Sequence, residues 1–279
     1  RQRVHGADRI HHPLKRTGKR GSGEFTPITW DEALETVAAE INRVNTNYGP
    51  SATGLISSGG DIVHLNNPAL LETVLAKNGG FSGTWGMHSA EGAWFASIAS
   101  YGEIASGNTR TDLVNASLII MWGWNPSVTI SYDNTAWRLA RAKEAGARII
   151  TVDPRYSDST AVLADQWIPI RPGTDTAMLV AMAHVIFNEG LADEAFVARY
   201  TLGMDTYREY VMGVTDGVPK TPQWAEAITG VPAARITALA RDYATLRPAA
   251  LMDGFAPGRS AYGEQFHRAA MALASLTAN

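Results

Sequence analysis

Short solid apolar runs alternate along this chain with stretches whose apolar residues recur every three or four positions. The runs at 54–58, 117–122, 148–152, 167–170 and 249–252 predict strands. Thr29 followed by Trp30, Asp31 and Glu32 has the form of a capping box, and Ala33, Leu34, Val37, Ala38 and Ile41 give the helix behind it a face to bury. Pro68 suits a first helical position. Leu70, Leu71, Val74 and Leu75 make the stripe of that second helix, which Gly79 and Gly80 stop. Helical spacing predicts further helices over 89–100, 133–145, 175–189, 221–228, 232–245 and 262–276, while residues 1–28 are turn-rich. Residues 117–152 read as strand, helix, strand, on the scale of a parallel crossover. Strands alternating with helices predict an α/β protein with largely parallel sheets.

Composition narrows the classes. With 279 residues, 45% hydrophobic and 18% charged, the chain suits one large globular domain or two ordinary ones. No apolar run is long enough to suggest a membrane span, and a net charge of −3 gives no reason to expect nucleic acid. The basic stretch 9–20 reads as a solvated loop, the alternative being contact with an anionic cofactor or a further segment. The lack of cysteine excludes disulfides, thiolate zinc, a cysteine nucleophile and a cysteine-held iron–sulfur cluster within these residues. Arg1 in place of Met, and an end directly after a helical pattern, lead us to expect an internal piece of a longer protein.

Candidate chemistry gathers where predicted strands end. Asp153, Pro154 and Arg155 follow one strand; in a dinucleotide fold an acid near this place takes ribose hydroxyls, and the plain alternative is a turn. The segment at 122–126 carries no G-x-G-x-x-G, so a nicotinamide or flavin dinucleotide fits poorly. After the next strand come Arg171, Pro172, Gly173, Thr174 and Asp175. Gly173 permits close backbone approach, Thr174 is placed to cap a helix whose first-turn N–H groups favour an anion, and Arg171 offers a planar donor fork. Asp175 suits a ligand edge with an amide beside an amino group, as guanine has, or else serves the helix dipole. Ser89 falls near a helix start, where capping is its simple role, and His88 beside it offers a donor or a metal ligand. The other histidines show no metal-binding spacing, and no catalytic triad is readable. The loop 254–259 opens a second place for a ligand, or is an ordinary turn.

In order and spacing these segments resemble the molybdopterin oxidoreductases of the dimethyl sulfoxide reductase family. The resemblance is carried by residues 12–16, 18–21, 28–33, 122–126, 152–155, 164–175, 220–225, 228–232 and 254–264. It implies molybdenum held by the dithiolenes of two molybdopterin guanine dinucleotides, with Ser89 as the protein ligand to the metal and His88 beside it at the catalytic centre. His88 stands where close relatives have tyrosine, which bears on the substrate. Implied dinucleotide contacts are Trp122, Gly123, Asn125, Pro126, Asp153, Pro154, Arg155, Arg171, Gly173, Thr174 and Asp175. The second pterin is expected near Gly59, Gly60, Gly254, Pro257 and Arg259. The implied reaction removes oxygen from a small S-oxide or N-oxide in anaerobic respiration. The implied surroundings are a [4Fe–4S] cluster in an N-terminal region outside this chain, an iron–sulfur electron-transfer subunit, a membrane-anchor subunit, and a periplasmic or membrane-associated location without direct membrane insertion. A cofactor-free structural relative in a respiratory complex, and a molybdenum enzyme acting on another oxyanion, are the other readings. Two α/β subdomains are expected: 1–108 with 253–279 on the metal and pterin side, and a Rossmann-like 109–252 inserted in it.

Overall fold

The structure, a computed structural model, describes residues 5–57, 68–84, 86, 89–104, 107–130 and 134–279. Gly59, Gly60 and His88 lie outside the described residues. Two compact units result, Arg1–Gly86 and Met87–Asn279.

In the first unit, β1 (Leu14–Arg16) pairs antiparallel with β2 (Phe25–Pro27), within the stretch read as turn-rich. Helix α1 (Trp30–Tyr48) starts where the capping box places it: Thr29 Oγ1 accepts the Glu32 N–H at 3.1 Å. The Glu32 side chain does not complete the box; it accepts from Lys15 Nζ at 3.0 Å. The expected apolar face is present in sequence, yet no residue of α1 is buried. A helical stripe records which face could be covered, and burial needs a covering partner. β3 (Gly54–Leu55) and β4 (Ser82–Gly83) form a short parallel pair; of the strand expected at 54–58, Gly54 and Leu55 are strand among the described residues, and Ser58 lies outside them. In α2 (Pro68–Lys77) Leu75 alone is buried.

The second unit holds a four-stranded parallel sheet. Its strands are β5 (Leu118–Trp122), β6 (Arg148–Val152), β7 (Gln166–Ile168) and β8 (Ala249–Asp253), in the order β7-β6-β5-β8. From β5 the chain steps outward to β6 and β7, then returns to place β8 on the other side of β5. The order reverses between β5 and β8, and that reversal opens a crevice at their carboxyl ends. Alternation along β5 feeds two cores. Leu118, Ile120 and Trp122 join the core that also buries residues of α6 (Asp175–Asn188), α9 (Pro222–Thr229), α10 (Ala233–Thr245) and α11 (Glu264–Thr277). Ile119 and Met121 join a smaller core with Leu139 of α4 (Thr135–Glu144) and Leu163 next to it, the last residue of α5 (Asp158–Leu163). Helix α3 (Glu91–Tyr101) packs on α11.

Three helices escaped the periodicity reading: α5, α7 (Glu194–Tyr200) and α8 (Met204–Val211). Each spans only six to eight residues. For α5 and α7 the signal was in the caps: Ser157 Oγ accepts the Thr160 N–H at 3.3 Å, and Asp193 Oδ1 accepts the Phe196 N–H at 3.0 Å; α8 starts at Gly203 with no side-chain cap. The compact units also follow a different boundary from the expected 108/109 and 252/253 divisions. β8 is hydrogen-bonded to β5, and Phe266, Ala270 and Leu273 of α11 sit in the same core as the sheet.

Candidate functional site

Glycine brings two strand ends together at the crevice. Gly123 follows β5 at φ +61, and a Cβ there would come within 2.7 Å of Pro257 Cδ. The Gly254 N–H donates to the Trp122 carbonyl at 2.7 Å, and a Cβ on Gly254 would collide with the Gly123 carbonyl. Only backbone fits at this crossing. It lays the loop 254–259 over the end of β5. Beyond it, Asn125 Oδ1 accepts from Ser159 Oγ at 2.6 Å, and Ser159 Oγ accepts the Ser127 N–H at 2.9 Å, tying 125–127 to α5. Pro126 between them is buried.

Two carboxylates sit at neighbouring strand ends. Asp153, just past β6, accepts the Arg155 N–H on Oδ1 at 2.8 Å, while its own carbonyl accepts from Trp167 Nε1 at 2.8 Å. Asp153 thus closes a local turn onto a backbone N–H, and Pro154 and Arg155 are exposed on it. Tyr156 rests edge-on against Trp167, ring centroids 5.2 Å apart. Asp175 is buried at the first position of α6, and its Oδ1 accepts from Trp122 Nε1 at 2.8 Å. Thr174 occupies the capping position without capping, because its hydroxyl donates to the Arg171 carbonyl at 2.7 Å. Arg171 is exposed, and one nitrogen of its fork is engaged: Nη1 donates to the Ile228 carbonyl at 2.6 Å, at the end of α9. Gly173 stands at φ +77 with nothing within 4 Å of a Cβ position, so the turn before α6 is open.

Burial raises the pKa of both acids. For Asp153, desolvation outweighs the Arg155 N–H and the Arg155 charge. For Asp175, desolvation outweighs the Trp122 indole and nearby backbone N–H groups, and the Asp153 charge pushes the same way. The folded chain therefore holds these protons more tightly than the unfolded chain. The stability this contributes is complete below the ordinary aspartate value and is lost as pH rises through the raised folded values. Unfolding midpoints of cofactor-free protein should fall over that window. Asp175→Asn should show a smaller fall; parallel profiles for variant and wild type would remove Asp175 from this account.

Ser89 is exposed and described just ahead of α3. Its expected capping role is not taken: Ala90 is the cap residue and no side chain caps this helix. The Ser89 carbonyl instead accepts from Arg259 Nε at 3.0 Å. A Cβ on Gly92 would stand 2.8 Å from the Gly258 carbonyl, so the start of α3 and the loop 254–259 pack backbone to backbone. The structure thus gathers Trp122, Gly123, Asp175, Gly254 and Pro257 around the crossing, and links Ser89 to the same loop through Arg259. Ser159, Trp167 and Tyr156 were missed as support for this site; a buried serine after a helix start, and a tryptophan with an N–H to satisfy, were the available signals.

A guanine dinucleotide would bring phosphates, ribose hydroxyls and a base edge with adjacent N–H groups. The open Gly173 turn at a helix N-terminus fits an anion. Asp175 fits the base edge, because desolvation outweighs the donors it already has and further donors favour its ionised form. On these observations the residues present fit the implied group.

The chain matches the family described as molybdopterin oxidoreductase over residues 9–279. It is 38% identical to the probable dimethyl sulfoxide reductase chain YnfF of Escherichia coli K12, covering 100% of this chain and 36% of that protein. Identity to the dimethyl sulfoxide reductase DmsA of Haemophilus influenzae is 37%, covering 100% and 37%. For the dimethyl sulfoxide/trimethylamine N-oxide reductase of Rhodobacter capsulatus it is 31%, covering 98% and 36%. Among solved structures, acetylene hydratase from Pelobacter acetylenicus superposes with a TM-score of 0.71 at 26% identity, over 99% of this chain and 36% of that one. The chain spans just over a third of the length of these relatives.

Proposed function

Because the chain belongs to the molybdopterin oxidoreductase family, as its match over residues 9–279 shows, we propose that it is part of a molybdenum enzyme that reduces a small S-oxide or N-oxide in anaerobic respiration. The observation that carries this is Ser89: its hydroxyl is not spent on capping, and its backbone is tied by Arg259 to the loop over the sheet crevice. A hard serine oxygen suits an oxidised metal in oxygen-atom transfer.

The cofactor is read as molybdenum bis(molybdopterin guanine dinucleotide), which when bound supplies a two-electron couple for oxygen-atom transfer. Asp175 receives the guanine edge, Asp153 the ribose hydroxyls, and the Gly173 turn an anionic group. Gly254, Pro257 and Arg259 line the place for the second pterin, with Gly59 and Gly60 assigned to it from the sequence resemblance. The Gly123–Gly254 crossing holds the two halves of the site at a fixed spacing without side chains between. A [4Fe–4S] cluster requires cysteines beyond these residues, since the chain has none. An iron–sulfur subunit and a membrane anchor are the proposed partners, and the periplasmic side of a membrane the proposed location. Among the described residues no helix is long and apolar enough to cross a membrane.

The test is turnover by the complete protein, loaded with cofactor and reduced by a viologen dye. Oxidation of the dye on adding dimethyl sulfoxide or trimethylamine N-oxide is the expected result. A molybdenum-replete preparation that oxidises the dye with neither, but does so with another oxyanion, would overturn the substrate assignment.

A further inference from the structure

An acid–histidine pair lies beneath the loop that holds Ser89, and the cofactor contacts do not use it. His267 of α11 is 1% exposed, and its Nδ1 lies 2.7 Å from Asp253 Oδ2. A carboxylate only accepts, so Nδ1 is the donor to Asp253, which leaves Nε2 facing the loop. That Nε2 is buried and finds no hydrogen-bond donor among the described residues. It abuts Gly258, where a Cβ would collide with it. The Gly258 carbonyl in turn lies between Gly92 and Gly263, each too close to it to carry a side chain.

Both ends of this arrangement are anchored. Asp253 is the last residue of β8, in register with Trp122 of β5. His267 is braced by Phe266, ring centroids 4.9 Å apart, and Phe266 packs on Trp122 at 5.9 Å. One residue beyond Gly258, Arg259 Nε holds the Ser89 carbonyl at 3.0 Å. The contacts run without a gap from the sheet, through Asp253 and the imidazole, to Gly258, Arg259 and Ser89.

We infer that His267 is a positioning residue for Ser89: the Asp253-fixed imidazole props Gly258 and so sets where Arg259 holds the serine. The inference rests on the reading of Ser89 as the metal-side hydroxyl. A hydrogen-bonded imidazole wedged between a strand end and a glycine backbone is stiff, and a site that must place one oxygen against a metal gains from a stiff support. A histidine that only filled space in α11 would not need its ring fixed by a carboxylate, nor a glycine opposite it.

The test uses the complete, cofactor-loaded enzyme with His267→Ala, Asp253→Asn and Ser89→Ala. Two readouts are taken: amide hydrogen exchange at 89–92, and the molybdenum electron paramagnetic resonance signal. His267→Ala should raise exchange at 89–92 by about tenfold or more. It should also shift the metal signal toward that of Ser89→Ala, with molybdenum and guanine nucleotide contents unchanged. Asp253→Asn, which keeps the side-chain shape, should move both readouts the same way to a smaller extent, and it carries the test if alanine at 267 prevents folding. Unchanged exchange at 89–92 in these variants overturns the inference. So does a metal signal that responds to Ser89→Ala but ignores position 267. If exchange rises while Ser89→Ala leaves the signal untouched, the support stands and the metal-side reading of Ser89 is what fails.

Discussion

Replacing Ser89 by alanine should cut oxide reduction by at least roughly a hundredfold, the upper end of what losing even an outer partner of a metal ligand costs. The physical reason is local. The hydroxyl is exposed, caps no helix, and stands on a backbone held by Arg259. Alanine keeps that backbone bond, because Arg259 binds the carbonyl and not the side chain. Folding and cofactor content should therefore stay close to wild type while kcat collapses. Steady-state turnover with a viologen donor, alongside molybdenum and pterin assays, separates the outcomes. Near-normal kcat with normal cofactor content would remove Ser89 from the reacting centre.

Asp175→Asn should lower retention of the guanine dinucleotide by roughly ten- to a hundredfold, the equivalent of the ~1.5–3 kcal/mol typical of a hydrogen bond to a charged group. The substitution is chosen against the alternative role. Asparagine keeps an oxygen for the Trp122 indole, which now donates to Asp175 Oδ1 at 2.8 Å, so the buried N–H stays satisfied. What it removes is the pair of acceptors that an amide-plus-amino base edge requires, because one oxygen becomes an NH2 donor. Alanine would do both kinds of damage and could not tell them apart. Guanine nucleotide released per polypeptide by acid treatment is the readout. Equal release from asparagine variant and wild type would leave Asp175 as a buried helix-end residue serving Trp122.

The sheet was legible because its strands are short, largely apolar runs rich in β-branched residues, SLIIMW at 117–122 and RIITV at 148–152, with helical spacing between them. The crevice followed from acids and glycines placed directly after those runs. Asp175 gave away its position but not its partner, since a contact with Trp122 spans 53 residues of sequence and depends on how α6 docks on the sheet. Arg171 likewise gave away its position but not its partner: the Ile228 carbonyl at the end of α9 is 57 residues away in sequence. Thr174 sits where a cap belongs and yet turns back to Arg171. The amphipathic stripe of α1 was read correctly as a stripe and incorrectly as a buried face. His267 went unremarked because a histidine among Phe266, Ala269 and Ala270 looks like part of the packed face of α11; only the strand end opposite shows what its ring does.

The central claim is that this crevice holds a molybdenum guanine-dinucleotide cofactor. Its most direct test is the molybdenum and guanine nucleotide content of the complete protein, purified without air from molybdenum-replete cells. The account predicts close to one metal and two guanine nucleotides per polypeptide. Folded protein that contains neither under those conditions would contradict it, and would point to a relative that keeps the fold without the chemistry.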